Sequence, residues 1–194
     1  MEMLPIVCEH TNIEKGCAPR AEVLEKKMWC RSTNVFVMSH EGEILCHKRS
    51  LAKERMPGVW STHFGGHVGV GESYESNAQK ELSEEVGLWV SPEKLIPWRV
   101  TKIEIARLWV KEFVILSSVP IKDLVPQASE VADLEWKTLD SIRKDLSDNR
   151  NAWCAGTHDF IPEYYCMRSV LSALGEKKLL EVPSQFSFWV PEKI

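Results

Sequence analysis

Apolar positions along the chain fall into two kinds of run. Val35-Phe36-Val37-Met38 is unbroken, as in a strand buried on both faces. Ile44 to Lys48 follows after His40-Glu41-Gly42-Glu43, and Gly42 in that polar gap predicts a hairpin joining the two strands. Over residues 64–70, Val68 and Val70 stand among glycines, which predicts a short strand in close contact with other backbone. Residues 103–108 and 112–116 are strand-like, and Leu134 with Trp136 opens a further short strand. Helical spacing occurs in four places. Val23, Leu24 and Met28 predict a short helix over 20–29, and Leu139, Ile142 and Leu146 one over 139–146. Ala78, Leu82 and Val86 form the apolar seam of a helix over 74–86, with Ser73 as its N-cap and Gly87 just past its end. Tyr165, Val170 and Leu174 predict a last helix over 162–174, stopped by Gly175, and the tail FSFWVPEKI is apolar enough to pack back on the domain. The first 20 residues, broken by Asn12, Gly16 and Pro19, predict no regular element.

Strands and helices therefore mix without a regular βα alternation. This favours an α/β fold with a mixed sheet covered by helices over a doubly wound parallel sheet. The glycines of GVGESY do not make the GxGxxG turn of a dinucleotide site. A chain of 194 residues is the size of one domain.

Charge changes the picture modestly. The formal net charge of -4 makes a long nucleic acid an unfavoured partner. No window is apolar enough for a membrane span. The opening MEMLPIVCEHTNIEKG has neither a basic stretch nor a long apolar run, so no signal peptide is expected. The expectation is a cytoplasmic protein whose six cysteines are free thiols. Cys8, His10, Cys17 and Cys30 match no compact zinc spacing.

The chemistry concentrates in GHVGVGESYESNAQKELSEEVGL. On its helix, Glu81, Glu84 and Glu85 stand at i, i+3 and i+4, so three carboxylates share about a third of the circumference. They repel one another unless a cation lies between them. Mg²⁺ or Mn²⁺ suits oxygen ligands and is most useful where a substrate brings phosphates. A solvated acidic face is the plain alternative. The glycines before the helix, Gly65, Gly66 and Gly69, let a loop approach it closely.

This segment resembles the Nudix box, in which Gly, five residues, Glu, seven residues, Arg-Glu, an aliphatic, any residue, Glu-Glu, any residue, Gly and an aliphatic follow in order. Gly66, Glu72, Glu81, Leu82, Glu84, Glu85, Gly87 and Leu88 keep that spacing, and Lys80 stands in place of the arginine. The wider stretch HKRSLAKERMPGVWSTHFGGHVGVGE, through Arg49, Lys53, Pro57-Gly58, Trp60 and Gly66-His67, resembles the branch that holds the isopentenyl-diphosphate isomerases. Those enzymes carry a catalytic cysteine just before the Gly-His pair, where this chain has Gly65, and a metal-binding histidine whose place is taken here by Cys30.

The resemblance implies a single Nudix-type α/β/α sandwich over 1–194, with an N-terminal extension of about 28 residues and a C-terminal helix plus tail. It implies hydrolysis of a diphosphate linkage in a nucleoside diphosphate linked to another group, or in a similar small molecule. Glu81, Glu84 and Glu85 would hold the metal, with a backbone oxygen of Gly65 or Gly66, and Glu72 would be an accessory water-mediated ligand or a structural partner. The base that takes a proton from water is Glu85, or a later residue among Glu130, Asp133 and Glu135. Arg49 and Lys53, which follow a strand and precede the Pro57-Gly58 turn, are candidate phosphate contacts, with ordinary surface charge as the alternative. Trp60 and Phe64 either line a substrate pocket or pack in the core, and His67 shapes the pocket beside the metal loop. Relatives often dimerise, so a homodimer is one expectation. Two other readings compete: an isomerase-like enzyme, and a nucleotide-binding or interaction module with weak chemistry.

Overall fold

A computed structural model of the chain describes residues 1–117, 119–154 and 157. The helix expected over 162–174, the tail and Cys166 lie outside the described residues. The chain opens with a hairpin, β1 (Met3–Val7) and β2 (Glu14–Pro19), followed by α1 (Arg20–Glu25). Leu4, Ala18, Val23 and Cys30 close a small core beneath it. The breakers that hid this hairpin in the sequence belong to its geometry. Asn12 takes a positive φ of 57° in the turn, and Pro19 is the last residue of β2.

The main sheet holds β3 (Cys30–Met38), β4 (Ile44–Arg49), β5 (Trp60–Ser61), β6 (Ile96–Ile103), β7 (Leu108–Leu116) and β8 (Val131–Lys137). Its order is β5-β4-β3-β7-β6, with β8 added along β4. β3 and β7 run parallel in register from Cys30–Leu108 to Met38–Leu116, while the other pairings are antiparallel, so the sheet is mixed. α2 (Tyr74–Val86) covers one face and α3 (Leu139–Asp148) the other, each packed on its own apolar core. Ala78, Leu82 and Val86 meet Val35, Val37, Phe113 and Ile115 on the first face. Leu139, Ile142 and Trp153 meet Phe36, Met38 and Val114 on the second. This is the α/β/α sandwich that the resemblance implies.

One departure from hairpin regularity builds the site. β3 and β4 pair only at Met38–Ile44 and then splay. Residues 60–67 fill the gap: Trp60 and Ser61 pair with β4, while Phe64 and His67 make single bridges to Val35 and Ser32 of β3. The expected strand over 64–70 is therefore two isolated bridges, because Gly65 at φ +145° breaks the run between them. The strand expected over 103–108 is likewise replaced. Ile103 ends β6, a 3-10 turn follows at Glu104–Ala106, and Ile105 is 95% exposed. No helix among the described residues is long and apolar enough to cross a membrane.

Candidate functional site

α2 begins where the sequence places it. Ser73 accepts the Ser76 N–H at 3.0 Å, the Ser76 hydroxyl answers the Ser73 N–H, and Gly87 closes the helix in the left-handed region at φ 69°. The apolar seam of Ala78, Leu82 and Val86 fixes the rotation of the helix about its axis. That rotation brings a second line, Asn77, Glu81 and Glu85, against the sheet and the 65–72 loop. Glu85 is 8% exposed, whereas Glu84 faces solvent.

The loop and the carboxylates are built against each other. A Cβ on Gly66 would sit 2.6 Å from Glu81 Oε1, so the carboxylate lies directly on the loop backbone. The Gly66 carbonyl is turned to β3, where it accepts from the Thr33 N–H and the Ser32 hydroxyl, both at 2.9 Å. Glu72 is a loop partner: it accepts from the Gly69 N–H at 2.8 Å, the Asn77 amide at 3.0 Å and the Lys80 ammonium at 3.1 Å. Burial opposes its charge, but these donors outweigh it and hold the Glu72 carboxyl below its usual range. Lys80, in the box arginine position, is thus engaged with Glu72.

Glu81 and Glu85 behave differently. Burial pushes Glu81 up to about 7 against the pull of Lys80, with the charges of Glu84 and Glu72 adding to it. Burial pushes Glu85 up to about 8, helped by Glu81 and Glu130 and opposed by Arg49 and Lys53. Glu85 Oε2 is buried without a hydrogen-bond partner among the described residues. A half-buried carboxylate that raises a buried one, the latter with an orphaned oxygen, is an arrangement that a positive partner would relieve.

The later loop reaches the same place. The Val125 and Gln127 N–H groups donate to the Val86 and Glu85 carbonyls at 3.0 Å, and the Ser50 N–H donates to the Glu130 carbonyl at 2.8 Å. Lys53 and Glu130 close an ion pair between the two loops. Arg49 donates to the carbonyls of Arg55 at 3.0 Å and Met56 at 3.1 Å, folding the 50–58 loop around its own guanidinium. Arg49, Lys53 and Glu130 are therefore gathered around Glu85. Asp133 and Glu135 stand instead on β8, paired in register with Lys48 and Cys46.

The remaining expected residues fall elsewhere. Phe64 is fully buried in the α2-side core, its ring 4.7 Å from that of His47. Trp60 is packed on the α3-side core, 6.2 Å from Trp153. His67 sits at the loop, its carbonyl accepting the Asn77 amide at 3.0 Å, and burial with the charges of Arg20 and Arg55 lowers its imidazole to about 4. Among the described residues, no three His, Cys, Asp or Glu side chains converge as ligands around one point. The five described cysteines are free thiols.

Asn77 is the residue the sequence reading missed. It is fully buried and joins the helix, the loop and β3. The signal was present: a polar residue four positions before Glu81, next to the first residue of the apolar seam.

Comparison with known proteins places these features in context. Residues 28–155 match the NUDIX domain family profile. An isopentenyl-diphosphate Delta-isomerase 2 of Photorhabdus laumondii is 29% identical over 150 residues, 73% of this chain and 80% of that protein. An uncharacterized Nudix hydrolase of Pseudomonas aeruginosa is 38% identical over 73 residues, 38% of this chain and 43% of that protein. Among solved structures, the Deinococcus radiodurans protein DR0079 superposes with a TM-score of 0.71 at 20% identity, covering 84% of this chain and 99% of that one. The MutT protein of Methanosarcina mazei does so at 0.54 and 21% identity, covering 71% of this chain and 93% of that one.

Proposed function

We propose, from the premise that this chain belongs to the Nudix family, that it hydrolyses the phosphoanhydride of a small diphosphate substrate with Mg²⁺ or Mn²⁺ as cofactor. The substrate class is a nucleoside diphosphate linked to a second group, or a similar small diphosphate. The observation that carries this reading is the pair of carboxylates on one line of α2, Glu81 half-buried and Glu85 buried. Glu81 lies on the Gly66 backbone, and Glu85 has an orphaned oxygen beside the charges of Glu130, Lys53 and Arg49.

The residues fit a hard divalent cation because every donor offered is oxygen. Glu81, Glu84 and Glu85 would hold it. Of the two loop glycines, Gly66 has its carbonyl committed to β3, so the backbone oxygen is assigned to Gly65. Glu72 keeps the loop in place from behind. A bound cation would neutralise the diphosphate and make a water more acidic.

The other roles belong to side chains of the chain itself. Lys53 and Arg49 offer positive charge to phosphate oxygens. Glu130 takes the proton of the attacking water, with Glu85 as the alternative base. His67, held neutral, shapes the wall of the loop. Trp60 and Phe64 support the site through packing.

The isomerase-like reading fits the local backbone less well. At Gly65, the position of the isomerase cysteine in the resemblance, a Cβ would lie 2.0 Å from the Thr33 carbonyl oxygen. A screen of phosphate release over diphosphate compounds, with and without Mg²⁺ or Mn²⁺, tests the hydrolase reading. Binding of metal and nucleotide without turnover would replace it with the binding-module reading.

A further inference from the structure

Asn77 has no assigned place in the box pattern, which leaves its position open, yet it is fully buried and every polar atom of its side chain is engaged. Its Oδ1 accepts the Thr33 hydroxyl at 2.6 Å. Its Nδ2 faces three acceptors: the His67 carbonyl at 3.0 Å, Glu72 Oε2 at 3.0 Å and Glu81 Oε1 at 3.4 Å. One amide thus touches β3, the middle of the loop, the loop's structural glutamate and a carboxylate of the α2 line. Lys80, standing where the family has arginine, bonds Glu72 and is one residue from Glu81. A lysine offers a point charge where arginine offers a planar fork, so it cannot hold two carboxylates in a fixed mutual geometry as a fork can.

We infer that Asn77 is a positioning residue: its amide sets the Glu81 carboxylate and the 65–72 loop in one arrangement, a task that Lys80 performs only for Glu72. The inference rests on the proposed hydrolase reading for what Glu81 does, but not for the arrangement itself. A donor group that bridges two carboxylates and a carbonyl lowers their mutual repulsion without adding charge. Its loss leaves Glu72 with the Gly69 N–H and Lys80, and leaves Glu81 without its amide partner.

The test compares Asn77→Ala and Asn77→Ser with Thr33→Val. Thr33→Val, close in size to threonine, removes the hydroxyl that anchors Oδ1 but keeps the amide donors, so it reports what loss of that anchor alone does. Asn77→Ser, smaller and still polar, guards against failure of the alanine variant to fold. Hydrogen exchange of the 65–72 segment is read on metal-free protein, and Mn²⁺ affinity by electron paramagnetic resonance. Both Asn77 variants are expected to exchange at least tenfold faster in this segment than Thr33→Val and to bind Mn²⁺ at least tenfold more weakly. In turnover, kcat falls while KM holds. Exchange and Mn²⁺ affinity equal to those of Thr33→Val would overturn the inference. A wild-type protein that turns over no diphosphate would end the hydrolase reading alone, because loop exchange still decides the role of Asn77.

Discussion

Lys53 and Glu130 stand 77 residues apart in the chain and close an ion pair between two loops, both of which act on Glu85. In this arrangement the ammonium is matched by a carboxylate and the carboxylate by an ammonium. On the proposed reading, a phosphate arriving at Lys53 would compete with Glu130, and its binding would release Glu130 to accept a proton. The two residues therefore have opposite signatures in steady-state kinetics. Lys53→Met should raise KM by roughly tenfold, the size expected for one charge-assisted phosphate contact. Glu130→Gln should lower KM, because Lys53 loses its competitor, and lower kcat by about two orders of magnitude. Equal KM values in the two variants would contradict the competition.

The raised carboxyls make metal-free stability depend on pH in a defined direction. An ordinary glutamate loses its proton near 4.5, whereas Glu81 holds one to about 7 and Glu85 to about 8. Between these values the folded chain binds more protons than the unfolded chain, so stability falls as pH rises from about 4.5 to about 8. The change is on the order of a few kcal/mol for the two carboxyls together. Thermal unfolding of metal-free protein across this range should show a declining Tm, and Glu85→Gln should flatten the decline. Added Mn²⁺ should reverse it, because a cation binds the deprotonated carboxylates. A Tm that rises with pH in the absence of metal would contradict the assignment.

Gly65 gives a steric prediction. Its φ of +145° is strained for any side chain, and a Cβ would meet the Thr33 carbonyl oxygen at 2.0 Å and the Thr33 carbonyl carbon at 2.8 Å. Both contacts are with backbone of a central strand, which yields little. Gly65→Ala and Gly65→Cys should each cost about 3 kcal/mol or more, and denaturant unfolding measures this. The cysteine variant should show no isomerase activity on prenyl diphosphates. Wild-type stability in Gly65→Ala would refute the packing argument.

Much of this arrangement was legible in the sequence, for local reasons. The bounds of α2 follow from a cap, an apolar seam and a terminal glycine, all of which act within a few residues of one another. The same holds for the core of the β3–β4 hairpin, where apolar runs flank Gly42. What the sequence hid was settled by distant partners. Cys30 to Asn34 are strand residues because β7 pairs with them in parallel, not because their own pattern is apolar. β6 was obscured by Pro97 and by half-exposed side chains, both tolerated because it is an edge strand with a register shift between Pro97 and Arg99. The Lys53–Glu130 pair and the Asn77 network depend on loops meeting from separate parts of the chain, which spacing alone does not encode.

Phosphate release from a panel of diphosphate compounds, measured with Mn²⁺ for the wild type, Glu84→Gln and Glu85→Gln, tests the central claim most directly. The expected result is turnover of at least one compound that requires the ion and falls by about a hundredfold or more in both variants. Turnover that persists in Glu85→Gln, or none across the panel while Mn²⁺ and a nucleoside diphosphate still bind, would contradict it.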